Sequence, residues 1–361
     1  MNSVSPKGRG TGWQIAHRFE RVEREAVDDG WAPPAADADE PGDAAAPATE
    51  VRWERTGRIL AENDSPDVPF ELSVNPYRGC EHGCIYCYAR PTHSYLNLSP
   101  GLDFETRLIA KANAAEQLRE ALCRPGYVPR PLNIGSATDA YQPIERRLRV
   151  TRQVIEVLHE ARHPFSIVTK SGGVVRDLDL LAEVAARRQL LVFISITSVD
   201  NALSRILEPR ASSPARRLAA VRALSAAGVW VGVNVAPIIP FVNEPEIEQI
   251  IEAAAEAGAR SVHWTVVRLP WEVSPLFEDW LQQHYPERAA RVMARIRDMR
   301  GGRNYDADFA TRMKGAGPWA ELIRQRVVKA GQRHGLGRET PALDFSAFRP
   351  PARDARQASL F

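Results

Sequence analysis

Three of the four cysteines in this 361-residue chain, Cys80, Cys84 and Cys87, fall within eight positions, spaced C-x3-C-x2-C. Thiolates are soft ligands, and three so close can converge on one metal centre while leaving four-coordinate ligation one donor short. Gly79 and Gly83 each precede a cysteine, where a tight metal-enclosing loop needs permissive backbone. Spacing alone admits an iron–sulfur cluster, a structural zinc with His82 or His93 as fourth ligand, or a redox pair within Cys84-Ile85-Tyr86-Cys87. Cys123 stands at the end of a predicted helix and reads as a small packing residue. This clustering does not look like the disulfide framework of a secreted protein.

The elements that must position this loop alternate from Phe70 onward. Phe70–Val74 reads as a first strand ending at the cysteines. Asp103 reads as the N-cap of a helix running to Leu122, because Leu108, Ala112, Ala115, Leu118 and Leu122 recur at helical spacing. Strands follow at 132–135, 165–169, 190–196, 229–235 and 261–267, with helices at 148–161, 178–187, 214–227 and 245–257 between them. The run Leu190–Ile196 is apolar almost throughout, as a strand buried on both faces should be. Ser213-Pro214 opens one helix and Gly228 closes it. Six β/α units predict a parallel sheet, either doubly wound or barrel-like. No Gly-x-Gly-x-x-Gly follows the first strand, which weakens a dinucleotide-binding reading.

Outside this core the composition changes. Residues 1–65 carry eight basic against thirteen acidic side chains, a net of −5, and residues 31–49 are rich in alanine, proline and acids. A disordered N-terminal tail is expected over residues 1–62, with a linker at 31–49 and a short helix around Phe19–Val27. The core is expected over residues 63–270 and a C-terminal helical extension over 271–361. Residues 286–338 carry thirteen basic against five acidic side chains, a net of +8. That region could bind a phosphate backbone, but an ordinary solvated helical face is favoured. No apolar leader opens the chain and no run spans a bilayer, so a cytoplasmic protein without a membrane partner is expected.

The triplet with Tyr86 before its last cysteine, C-x3-C-x-aromatic-C, resembles the signature of the radical S-adenosylmethionine (SAM) superfamily. Asn75–Tyr95, Gly135–Pro143, Thr169-Lys170-Ser171 and Leu207-Glu208-Pro209-Arg210 resemble its spore photoproduct lyase-related, DNA repair photolyase-like branch. The resemblance implies an α/β fold, a partial (β/α)6 barrel with its site at the C-terminal strand ends, and a C-terminal α-helical extension. It implies a [4Fe–4S] cluster on Cys80, Cys84 and Cys87, with SAM on the fourth iron. An electron then breaks SAM to a 5′-deoxyadenosyl radical that abstracts a substrate hydrogen. The implied SAM contacts are Tyr86, Tyr88, Ser136, Thr138, Asp139, Lys170, Ser195, Glu208 and Arg210. Each has a plainer reading: Asp139 stabilising its own turn, Glu208 and Arg210 pairing with each other, the tyrosines packing. The implied partners are an electron donor such as flavodoxin or ferredoxin and, as substrate class, nucleic acid. Spore photoproduct lyases place a hydrogen-donating cysteine in the loop after the second strand. Here that loop reads Ser136-Ala137-Thr138-Asp139, which puts thymine-dimer reversal in doubt. A zinc-stabilised nucleic-acid-binding protein without catalysis is the alternative.

Overall fold

The computed structural model describes residues 5–20 and 47–352. Its first elements are β1 (Glu50–Glu54), β2 (Leu60–Glu62), β3 (Leu72–Val74) and β4 (Tyr77–Arg78), followed by the cysteine loop. Then come α1 (Asp103–Thr106), β5 (Arg107–Lys111), α2 (Ala114–Leu122) and β6 (Leu132–Ile134). The chain continues through α3 (Glu145–Leu148), α4 (Val150–Glu160), β7 (Phe165–Thr169), α5 (Leu178–Ala186) and β8 (Leu190–Ser195). Next are α6 (Asn201–Leu207), α7 (Pro214–Ala226), β9 (Val231–Ile238), α8 (Ile247–Glu256) and β10 (Ser261–Val266). Three helices finish it: α9 (Val273–His284), α10 (Pro286–Asp298) and α11 (Gly317–Arg333).

Strand order resolves what spacing left open. The large sheet runs β2-β3-β6-β7-β8-β9-β10, and each parallel strand lies beside the one before it. A doubly wound sheet reverses direction at a switch point, whereas steady progression is how a barrel winds. Six strands are parallel, and β2 pairs antiparallel on the outer side of β3. All six residues of β8 are buried, as its apolar run predicts. At the other edge the C-terminal region covers β10: Val262 N–H donates to the Gly337 carbonyl at 3.0 Å and Val266 N–H to Met313 at 2.8 Å.

Two expectations need correction. The helix expected over 103–122 is broken by β5, which pairs with β1 and β4 in a separate three-stranded sheet. Leu108 and Ala110 point inward with a strand's alternation, and the helical spacing holds only from Ala114. Asp103 does not cap α1 through its side chain; its carboxylate accepts from Ser99 N–H and from Gln14 Nε2, both at 3.0 Å. The tail expected over 1–62 contains β1 and β2, and residues 5–20 pack on the cysteine loop. Most of the 31–49 linker and of the Phe19–Val27 helix lies outside the described residues.

Candidate active site

The cysteine loop leaves β4 and turns twice on left-handed glycines, Gly79 at φ 77° and Gly83 at φ 67°. A Cβ on Gly79 would stand 2.8 Å from His93 Cε1 and 2.9 Å from the Phe104 carbonyl, so the loop needs glycine for space as well as for φ. Buried side chains hold the loop's carbonyls. Thr138 Oγ1 donates to Gly79 O at 2.6 Å, and Gln142 Nε2 donates to the same oxygen at 3.2 Å. Arg90, fully buried, donates to Cys84 O at 2.9 Å, to Gly83 O at 3.2 Å and to Glu105 Oε1 at 2.5 Å.

The N-terminal segment seals that side. Gly10 N–H donates to Glu105 Oε2 at 2.8 Å, and Arg9 donates to the Glu105 carbonyl at 2.8 Å. Gly10 approaches so closely that a Cβ there would lie 1.9 Å from the Gly83 carbonyl.

Cys80 and Cys84 are buried, Cys87 is half-buried, and all three thiols are free. Burial, then the nearby Asp139, pushes the Cys80 thiol pKa well up. The two histidines of this region differ in their partners. His93 Nε2 sits 3.0 Å from the Arg107 carbonyl, and burial lowers its pKa to about 4. His82 Nδ1 lies 3.3 Å from Asp139 Oδ2. Among the described residues no three His, Cys, Asp or Glu side chains group so as to hold one metal ion. Zinc binds all its donors at 2.0–2.3 Å, roughly, from one point, whereas a cubane seats each thiolate on its own iron. The donor set of three soft thiols fits an iron–sulfur cluster.

The predicted contacts divide into groups. Tyr86, Lys170, Ser195 and Glu208 come together. The Tyr86 hydroxyl donates to Glu208, which also accepts from Thr197 Oγ1 at 2.5 Å and pairs with buried Arg217. Arg217 donates onward to the Ser195 carbonyl at 3.0 Å, and Lys170 Nζ lies 5.8 Å from the Tyr86 ring centre. Burial pushes the Glu208 pKa up, but Arg217 and Lys170 outweigh it and hold the carboxyl at about 2. Burial likewise opposes the Lys170 charge, and Glu208 with its neighbours reverses the effect.

Thr138 and Asp139 form a second group: Thr138 holds the loop's backbone at Gly79, and Asp139 faces the His82 side chain. Asp139 accepts from Thr169 Oγ1 at 2.6 Å and from Lys170 N–H at 2.7 Å. Burial opposes its charge, yet His82 and these donors hold its pKa below the usual carboxylate range. Glu208 and Arg210 do not pair with each other: Arg210 reaches Glu81 at 3.1 Å.

Tyr88 and Ser136 line a cavity of about 420 Å³ at the strand ends, with Asn133, Arg268, Trp271 and Tyr305. The Tyr88 hydroxyl donates to the Ser136 carbonyl at 2.5 Å, and the Arg268 guanidinium covers its ring at 4.5 Å. Arg312, also on the wall, donates twice to Asp67 at 2.5 Å. The helical extension thus closes one side of the cavity.

Residues that sequence reasoning missed are Arg90, Glu105, Gln142, Thr197 and Arg217. The contacts that tie them to the site span 6 to 111 positions, most of them beyond a local pattern. Much of the basic segment 288–303 is structural. Arg291 stacks on Phe241 at 4.0 Å and Arg295 on Trp319 at 4.4 Å, while buried Arg300 donates to the carbonyls of Val267 and Arg312, each at 2.8 Å.

Comparison with known proteins agrees with this geometry. The family model for the Radical SAM superfamily matches residues 74–254. An uncharacterized protein of Mycobacterium tuberculosis is 38% identical over 302 residues, covering 81% of this chain and 83% of the relative. One of Methanocaldococcus jannaschii is 28% identical over 214 residues, covering 59% of this chain and 76% of its own. Spore photoproduct lyase complexed with dinucleoside spore photoproduct superposes with a TM-score of 0.53 at 17% identity, covering 80% of this chain and 81% of that one. A variant of that lyase with bound AdoMet and the same dinucleoside gives 0.54 at 16% identity, covering 81% and 82%. With the cysteine loop at the head of a six-stranded partial barrel, the chain belongs to the radical SAM superfamily and is an enzyme of that type.

Proposed function

We propose that this enzyme holds a [4Fe–4S] cluster on Cys80, Cys84 and Cys87 and cleaves SAM reductively to abstract hydrogen from a nucleic-acid substrate. One observation carries the reading: three free thiols share a loop, and Tyr88, next to its last cysteine, lies on the wall of the 420 Å³ cavity. When bound, the cluster supplies the electron that breaks the S–C5′ bond of SAM, and the 5′-deoxyadenosyl radical takes the substrate hydrogen.

The chain's own residues do the rest. Lys170, kept positive by Glu208, meets the SAM carboxylate, and Ser136 and Ser195 offer hydroxyls to the methionine and ribose. Tyr86 is oriented by Glu208 and Thr197 to pack on the bound pair. Thr138 fixes the loop's backbone at Gly79, and Asp139 ties the His82 side chain to the Thr169-Lys170 strand end. Tyr88, Trp271 and Tyr305 give flat faces for bases, and Arg268 a positive charge for phosphate. Flavodoxin or ferredoxin delivers the electron.

The zinc-stabilised binding module is the weaker reading, because the chain belongs to the radical SAM superfamily and His93 is already bonded to the Arg107 carbonyl. Lesion reversal with a thiol hydrogen donor is not part of the proposal. The loop after β6 has no cysteine, and Cys123 Sγ is bonded to the Pro351 carbonyl at 3.1 Å.

The test is anaerobic turnover with deuterated oligonucleotides. Deuterium is expected in 5′-deoxyadenosine; release of unlabelled 5′-deoxyadenosine with every oligonucleotide would exclude nucleic acid as the substrate class.

A further inference from the structure

A second cavity, of about 170 Å³, lies beside the cysteine loop and shares no lining residue with the larger one. Its walls come from three consecutive strand-end connections, with Arg146 after β6, Ser171 after β7, and Arg210, Ser212, Ser213 and Arg216 between α6 and α7. His82 of the cysteine loop also lines it. No carboxylate is among the lining residues. The acids beside its lining residues are engaged: Glu81 accepts from Thr49 Oγ1 at 2.7 Å and from Arg210, Asp139 is held by Thr169 and the Lys170 N–H, and Asp177, beside Tyr141, pairs with Arg152 and Arg176.

The polar side chains of its lining residues are donors or can act as donors. Arg146 and Arg216 are exposed and make no ion pair among the described residues. Ser171 Oγ accepts from Gly173 N–H at 3.0 Å and Ser212 Oγ from Gly172 N–H at 2.9 Å, so each hydroxyl hydrogen remains available. The thirteen-residue helix α7 begins here, and Ser213 makes no side-chain cap bond to it. Its first N–H groups therefore lack intrahelical partners and add the positive end of the helix dipole. His82, whose side chain is 3% exposed, uses Nδ1 toward Asp139, and Nε2 makes no hydrogen bond among the described residues. Convergent guanidinium, hydroxyl and helix N–H donors around a small space are the chemistry that recognises a tetrahedral oxyanion.

We propose that this cavity is a phosphate-binding site, separate from the radical chemistry. The phosphate belongs either to a nucleic-acid backbone or to a small phosphorylated molecule, and the site's donors would recognise both.

The test uses the full-length, cluster-loaded protein under anaerobic conditions at low salt, with inorganic phosphate as probe, followed by calorimetry. Saturable binding is expected. The double substitution Arg146→Ala/Arg216→Ala should weaken it at least tenfold, with an unchanged circular-dichroism spectrum. A control that removes the same charge elsewhere on the surface, Arg288→Ala/Arg303→Ala, should leave it within about twofold, since screening mutes distant charges. Absence of saturable phosphate binding by the wild type, or equal losses in the two double variants, would overturn the site.

A fluorescent single-stranded oligonucleotide without terminal phosphate separates the sources. Competition by phosphate, with weakened binding in Arg146→Ala/Arg216→Ala, assigns the site to the backbone. Indifference of oligonucleotide binding to both, with phosphate binding intact in the wild type, assigns it to a small phosphorylated molecule.

Discussion

The two sides of the cysteine loop are built on opposite principles. Behind it, Arg90, Glu105 and Gly10 are packed with no room for a methyl group, and the loop carbonyls are saturated by buried donors. In front, Tyr88 is half exposed, Trp271 is 59% exposed, and arginines lie over aromatic rings around an open cavity. Dense packing on one side fixes where three thiols point. Looser, aromatic packing on the other leaves surface for a ligand to cover. Substitutions behind the loop should therefore cost stability, and substitutions in front should cost affinity.

The largest effect should come from the buried pair. Arg90→Ala leaves Glu105 buried beside Gly10 without its guanidinium and frees the carbonyls of Gly83 and Cys84. Stripping one member of a buried ion pair typically costs about 3–5 kcal/mol. Denaturant unfolding should show a loss of that order, together with reduced iron retention. An Arg90→Ala protein as stable as wild type would mean that the rear packing does not hold the loop.

The next effect is pH-dependent. The Glu208 carboxyl, held at about 2 in the folded chain, lies below its ordinary value of 4.5. A depressed carboxyl contributes stability that is present above its unfolded value and lost as pH falls toward its folded one. Wild-type stability should thus decline between pH 4.5 and 2, with about 3 kcal/mol of it traceable to this group. In Glu208→Gln that share of the decline should vanish, at the cost of a lower plateau at neutral pH because Arg217 loses its partner. Parallel acid limbs in the two proteins would rule out Glu208 as the charged centre of that cluster.

The smallest effect on folding belongs to the front. Trp271→Ala should change unfolding free energy by less than about 1 kcal/mol while weakening single-stranded oligonucleotide binding by about 1–3 kcal/mol, the range for one base-stacking aromatic. Equal affinity would remove Trp271 from the substrate surface.

How much of this was legible in the sequence follows the same division. The buried strand at Leu190–Ser195 and the Ser213-Pro214 helix start are local signals, written in spacing and composition, and they hold in three dimensions. The break at Arg107–Lys111 was not legible, because its strand conformation depends on β1, more than fifty residues upstream. Nor was the packing of residues 5–20. That stretch is polar and glycine-rich, and its order comes from Glu105 and the Gly83 backbone rather than from any apolar period of its own. Glu208 was visible through the Leu207-Glu208-Pro209-Arg210 resemblance, but its partner Arg217 lies on the next helix, so the local motif suggested Arg210 instead. Position at a strand end proved informative about which residues gather near the loop, and uninformative about which of them face a ligand.

The central claim, that the three thiols hold a cluster which cleaves SAM, has one direct measurement. Anaerobically purified, chemically reduced protein is mixed with SAM, and 5′-deoxyadenosine is quantified for the wild type and for Cys84→Ala. Release by the wild type and none by the variant is the predicted result. Equal release from both, or none from a colourless wild type containing one zinc per chain, would contradict it.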